Sequence, residues 1–101
     1  QSHLKDRLVV LRETYEKCVA KVTATENNEF VDFHARRMVE MAAHIVISYL
    51  LMRQAGEVED YRASAELYVK YAEMQVAAAA RYIEQSTPAD LELISDVENE
   101  A

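Results

Sequence analysis

One Gly and one Pro in 101 residues constrain this chain more than any other feature. Tight turns between short strands draw on residues that take positive φ or hold φ fixed, and Gly and Pro are the chief suppliers. A chain with one of each cannot serve many hairpins and must run in a few long elements. Ala, Glu, Leu, Arg, Met and Gln are frequent, and all are strong helix formers. Half of the residues are apolar and 29% are charged, a globular balance rather than a disordered one. At this size a single core is expected, so residues 1–101 read as one helical-bundle domain.

The apolar periodicity predicts three long helices. Over about Leu4 to Thr25, the residues Leu4, Leu8, Leu11, Tyr15, Cys18 and Val22 step by fours and threes, one stripe of a helix. Lys5, Asp6, Arg12, Glu13, Glu16 and Lys17 form its wet side. A polar turn follows from Thr23, and Asn28 is the expected N-cap of a second helix reaching about Ala55. Its expected seam is Val31, Ala35, Met38, Ala42, Ile45, Tyr49 and Met52, widened by Val39, Val46 and Leu50. Gly56 is expected to end it in a left-handed C′ conformation. A third helix reads from Val58 to Gln85 on Tyr61, Ala65, Tyr68, Ala72, Val76, Ala79 and Ile83. Thr87-Pro88-Ala89-Asp90 has the cap, N1 proline and first-turn acid of a helix restart, giving a short fourth helix over Leu91 to Val97 before a frayed tail. Short connections make neighbours antiparallel. The expected fold is therefore all-α: an antiparallel, up-down-up three-helix bundle with a short fourth C-terminal helix.

Charge and composition exclude several functions. A net charge of −7 repels phosphate backbones and anionic lipid surfaces, so neither nucleic acid nor membrane is an expected partner. Met38 to Met52 is broken by Glu40 and His44 and falls short of the about 20 apolar residues a membrane span needs. One Cys rules out an internal disulfide and suits a reducing compartment, which points to the cytoplasm. The chain opens Gln-Ser-His and enters a helical pattern at once, so it reads as a piece of a longer protein.

No catalytic, cofactor-binding or metal residues emerge. Glu40 and His44 are four apart rather than the three of inward-facing Glu-x-x-His pairs, and on the expected seam they face outward as a surface pair. His34 and His3 are expected to be exposed. Cys18 lies on the first seam with no base one turn away, so it is expected to be a buried, inert thiol. No Gly-rich loop offers a phosphate cradle.

One pattern does not suit a plain bundle. Phe33, Arg37, Glu40, His44, Ile47 and Leu51 also step by fours and threes, on what should be the polar back of the second helix. The back of the third helix carries Leu67 and Met74 among Ala63, Lys70, Ala78 and Arg81. Mixed apolar faces of this kind mark interfaces, so Phe33, Arg37, Glu40, His44, Ile47, Leu51, Leu67 and Met74 form the candidate interface. The fourth helix is too short to cover it.

Phe33-His34-Ala35, then Met38 through Leu51, then Asp60-Tyr61-Arg62-Ala63-Ser64-Ala65-Glu66-Leu67-Tyr68, resemble the extra C-terminal helical domain of bacterial acyl-CoA dehydrogenases. The resemblance runs mainly from Phe33 to Ile83. It implies a non-catalytic accessory or assembly domain of an FAD enzyme that oxidises acyl-CoA thioesters at the α,β-carbons in fatty acid metabolism. It also implies partners in that enzyme's own flavoprotein core or a neighbouring subunit, within a homo-oligomer. No position matches the family's glutamate base or flavin-binding motifs, so no catalytic residue carries over. The alternative is a helical interaction module of an unrelated protein, using Phe33, Ile47 and Leu51.

Overall fold

The computed structural model describes residues 2–100. They form α1 (Ser2–Ala24), α2 (Asn28–Glu57), a 3-10 turn (Glu59–Tyr61), α3 (Arg62–Gln85) and α4 (Pro88–Glu100), with no strand among them. Side-chain pairs set the direction of each helix. Arg7 meets Glu73 and Lys21 meets the carbonyls of Ile83 and Glu84, so α1 and α3 run in the same sense. Phe33 lies by Tyr82 and His44 by Tyr68, so α2 runs against α3. The three long helices are thus up-down-up.

α1 buries the expected stripe. Leu4, Leu8, Leu11, Cys18 and Val22 are buried, and Tyr15 is half-buried against the same core. α3 contributes Ala65, Val69, Ala72, Val76 and Ile83. Tyr61 departs from its expected seam and is exposed, because the 3-10 turn has three residues per turn and carries it off the α-helical stripe. Lys21 of α1 reaches across to donate to the last carbonyls of α3, which a helix end otherwise leaves unpaired.

α2 keeps its expected seam at the core, with Ile45 buried and Val31, Met38, Tyr49 and Met52 half-buried against it, but is turned so that other residues lie deepest. Its buried residues are Phe30, His34, Met41, Ile45, Ser48 and Ala55. At 100° per residue this face lies about 70° around the helix from the expected seam. Val39, Val46 and Leu50 accordingly point to solvent. Two polar residues by letter take core places, one with its polar atom satisfied and one without. Ser48 Oγ donates to the His44 carbonyl at 2.7 Å, the i−4 bond that hides a hydroxyl inside a helix. His34 is enclosed by aromatic rings.

The connections differ from expectation in detail. The N-cap of α2 is Asn27, one residue earlier than expected, and its Oδ1 accepts from the Phe30 N–H at 3.0 Å. Glu26 before it has φ 52, the left-handed region that costs an L-residue about 1–2 kcal/mol. Gly56 does not end α2 in a left-handed turn. The helix runs on to Glu57, and extended Val58 closes it with an N–H donating to Gln54 O at 2.9 Å. The 3-10 turn then reverses the chain without a positive φ. α4 starts at Pro88 as expected, but the capping contact runs from the Thr87 N–H to Asp90 Oδ2 at 2.9 Å rather than from the threonine hydroxyl. The helix is longer than expected, reaching Glu100. Leu91 reaches the core, whereas Leu93, Ile94 and Val97 are exposed.

Candidate functional site

The α2 residues chosen from the sequence lie along its flank toward α3. Arg37 is the most constrained of them. Its guanidinium carbon sits 4.2 Å from the Tyr82 ring centre and 5.2 Å from that of Phe33. Nη1 donates to the Phe33 carbonyl at 3.2 Å. Two ring faces and a carbonyl thus fix a half-buried cation at the edge of the bundle, an arrangement worth more than either contact in water.

Beneath it lies His34, expected to be exposed and found fully buried. The edges of Phe30, Phe33 and Tyr82 surround its ring, with centroids 4.7, 4.9 and 5.8 Å away. Arg37 Nη1 approaches His34 Nδ1 at 3.5 Å. A guanidinium can only donate, so Nδ1 accepts and the ring proton sits on Nε2, which has no hydrogen-bond partner among the described residues. Burial, then the positive charges of Arg37 and Lys21, hold the imidazole below its ordinary pKa and keep it neutral.

His44 also departs from expectation. It does not face outward but leans on α3, with Nδ1 3.0 Å from the Tyr68 hydroxyl and its ring edge-on to Tyr71 at 5.5 Å. Burial, then the neighbouring Tyr71, pushes the Tyr68 phenol above its ordinary pKa, so that hydroxyl is no acid near neutral pH. Glu40 does not pair with His44. It lies 3.5 Å from Arg36 in an exposed i, i+4 ion pair. Cys18 is buried, and burial, then Glu84, raises its thiol pKa, the opposite of what a nucleophile needs. Among the described residues, no three His, Cys, Asp or Glu side chains gather as a metal would require.

Between these residues and α3 runs a shallow groove of about 230 Å³, bordered by Arg37, Glu40, His44, Gln75, Ala78 and Tyr82. Through Ala78 and Tyr82 it is continuous with a broader dish of about 520 Å³ that includes Met74 and Arg81. Met74 is 64% exposed and Leu67, two turns earlier on α3, is 70% exposed. Ile47 is 41% exposed, while Leu51 and Phe33 are half-buried, Leu51 against the core. The structure therefore brings Arg37, Glu40, His44 and Met74 onto one surface, extended along α3 by Leu67. The sequence reading missed Tyr71, Gln75 and Tyr82. Their signal was present, since Tyr71, Gln75, Ala78 and Tyr82 step by four, three and four along α3.

A search of curated proteins finds no match. A solved structure described as the acyl-CoA dehydrogenase family protein from Porphyromonas gingivalis superposes with a TM-score of 0.82 at 34% identity, over 86% of this chain and 75% of that one. The family model described as acyl-CoA dehydrogenase C terminal matches residues 1–91, which take in all three long helices and the start of α4. On that match, which the structural likeness at 34% identity supports, the chain belongs to the acyl-CoA dehydrogenase C-terminal domain family.

Proposed function

We propose that this domain is a non-catalytic accessory and assembly module of an FAD-dependent, acyl-CoA dehydrogenase-like enzyme. The family match over residues 1–91 carries the reading. The reading takes the parent to be a cytoplasmic homo-oligomer of fatty acid metabolism whose core oxidises acyl-CoA at the α,β-carbons. Residues 1–101 are then one domain that follows that core. No described helix is long and apolar enough to cross a membrane.

The residues present do not fit a flavin. Helix N-termini are the usual seats of a diphosphate, yet acids stand at the start of α2 (Glu29), the 3-10 turn before α3 (Glu59, Asp60) and α4 (Asp90). FAD is assigned to the core alone, and no step of the reaction is derived through this domain.

The domain's task on this reading is docking, through the α2–α3 surface. Ile47, Leu67 and Met74 supply exposed apolar area, and Arg37, Glu40 and Arg81 supply a polar rim. Arg37 is already held in place, so it loses little freedom on meeting a carboxylate or carbonyl of the core or a neighbouring subunit. Ile47→Lys and Met74→Lys in the full-length parent should alter assembly in sedimentation while changing domain stability by no more than about 0.5 kcal/mol. A fall in melting temperature with unchanged assembly would refute the docking face. A full-length parent without flavin absorbance would refute the enzyme assignment.

A further inference from the structure

The outer side of α2 is bare in the folded chain, and its charges are ordered. Val39, Ala43, Val46, Ile47 and Leu50 are exposed and lie on one stripe of the helix. Val39, Val46, Ile47 and Leu50 are 67, 56, 41 and 54% exposed. Arg36 and Glu40 stand at one end of the stripe, Arg53 and Glu57 at the other, all four exposed. Each end is therefore a cation followed four residues later by an acid. Arg36 and Glu40 already meet in an i, i+4 ion pair of 3.5 Å, with side chains 91 and 64% exposed, so each pair is neutral and still open to a partner. In the order cation, acid, apolar stripe, cation, acid, the face is opposite in sign to itself when reversed end for end.

We propose that α2 of one copy of this chain pairs antiparallel with α2 of a second copy, about a two-fold axis between Val46 and Ile47. The proposal rests on the assembly part of the reading above, names the chain itself as the partner, and needs no flavin. In this register Arg36 is level with Glu57 of the second copy, and Glu40 with its Arg53, at both ends of the pair. The small Ala43 is level with the larger Leu50, so the two helices interdigitate, and Val46 is level with Ile47. Charge selects this register over its neighbours. A slide of one turn in one direction sets Arg36 against Arg53, and one turn in the other sets Glu40 against Glu57. A parallel pair sets every charge against its own copy. Asp32, one turn before Arg36, falls level with Tyr61 in the 3-10 turn, beyond the end of the second α2. Both copies use the same stripe, so the pair closes as a dimer and leaves none of that stripe to propagate.

Sedimentation equilibrium of the 101-residue chain tests this, with circular dichroism to check that helix content is kept. The chain should be a dimer at about 100 μM. Val46→Ser with Leu50→Ser should weaken it about tenfold or more. Arg36→Glu alone sets acid against acid, and Glu57→Arg alone sets cation against cation. Each should weaken the dimer about tenfold, because the two-fold counts every change twice. Arg36→Glu with Glu57→Arg in one chain should restore it to within about threefold of wild type. Positions 36 and 57 lie about 32 Å apart along α2, so they compensate only between copies. Within one helix the double change puts acids at 36 and 40 and cations at 53 and 57, so a role confined to the helix predicts further loss instead of recovery. A monomer at that concentration, a dimer indifferent to Val46→Ser with Leu50→Ser, or a double charge swap no better than its single changes overturns the proposal. A monomeric chain whose Val46→Ser, Leu50→Ser form alters assembly of the full-length parent overturns it in favour of the core as occupant, and leaves the docking and flavoenzyme readings standing. A dimer with the expected pattern, in a parent without flavin absorbance, supports it while the enzyme assignment fails.

Discussion

His34→Leu should remove a specific acid sensitivity from this domain. In the folded chain His34 is fully buried among Phe30, Phe33 and Tyr82, and the cations facing it are Arg37 on its own helix and Lys21 on α1. Burial and those charges lower its pKa, so the folded state resists the proton that the unfolded state takes up near pH 6.5. The sign follows from linkage. Stability from this group is fully present above pH 6.5 and is lost as pH falls from there toward the folded pKa. In the limit where the folded ring takes no proton above pH 5, the loss between pH 7 and pH 5 is about 2 kcal/mol, which bounds the effect. Urea unfolding of wild type and variant at the two pH values measures it. Carboxylates titrating in the same window act on both proteins alike and cancel in the difference. The leucine also removes the unpartnered Nε2–H, a buried donor whose desolvation costs about 1–3 kcal/mol. If the variant loses as much stability as wild type between pH 7 and pH 5, His34 carries a proton in the folded bundle and the reasoning is wrong.

Two further substitutions test the packing and the first turn. Ile45→Ala, at a side chain 7% exposed in the α2 core, should cost about 2–5 kcal/mol in urea unfolding. Glu26→Gly should raise the melting temperature, by an amount equivalent to about 0.5–1 kcal/mol, because Gly takes φ 52 without the Cβ clash; no gain would mean the turn is not strained.

Much of the architecture is legible in the residues. The α1 stripe from Leu4 to Val22 has one apolar side and one charged side, so periodicity alone assigns its buried face. α3 reads nearly as well, since Ala65, Ala72, Val76 and Ile83 of the expected seam are buried, although Val69 joins them from outside it. The restart at Thr87-Pro88 is local chemistry and needs no neighbour. The candidate interface was readable as a second 4-3 stripe on α2. Its contents were not, because the clamp on Arg37 and the partner of His44 come from Tyr82 and Tyr68, residues 45 and 24 positions away.

By itself, the sequence determined that this chain is helical, where its helices begin and end to within a few residues, and which side of α1 is dry. Propensity, caps and one-sided periodicity are local quantities that need no neighbour. Only the tertiary structure decided which residues of α2 lie deepest and that Val39, Val46 and Leu50 stay outside. That helix is apolar nearly all round, so transfer free energy favours Val39, Val46 and Leu50 inside as readily as Met41 and Ile45. The choice falls to shape and, at Ser48, to polar satisfaction. Phe30 and Met41 fill the space between α1 and α3, Ser48 closes its own hydrogen bond, and His34 finds an aromatic cage. These are properties of three helices together, and they turn α2 so that an apolar stripe is left facing water.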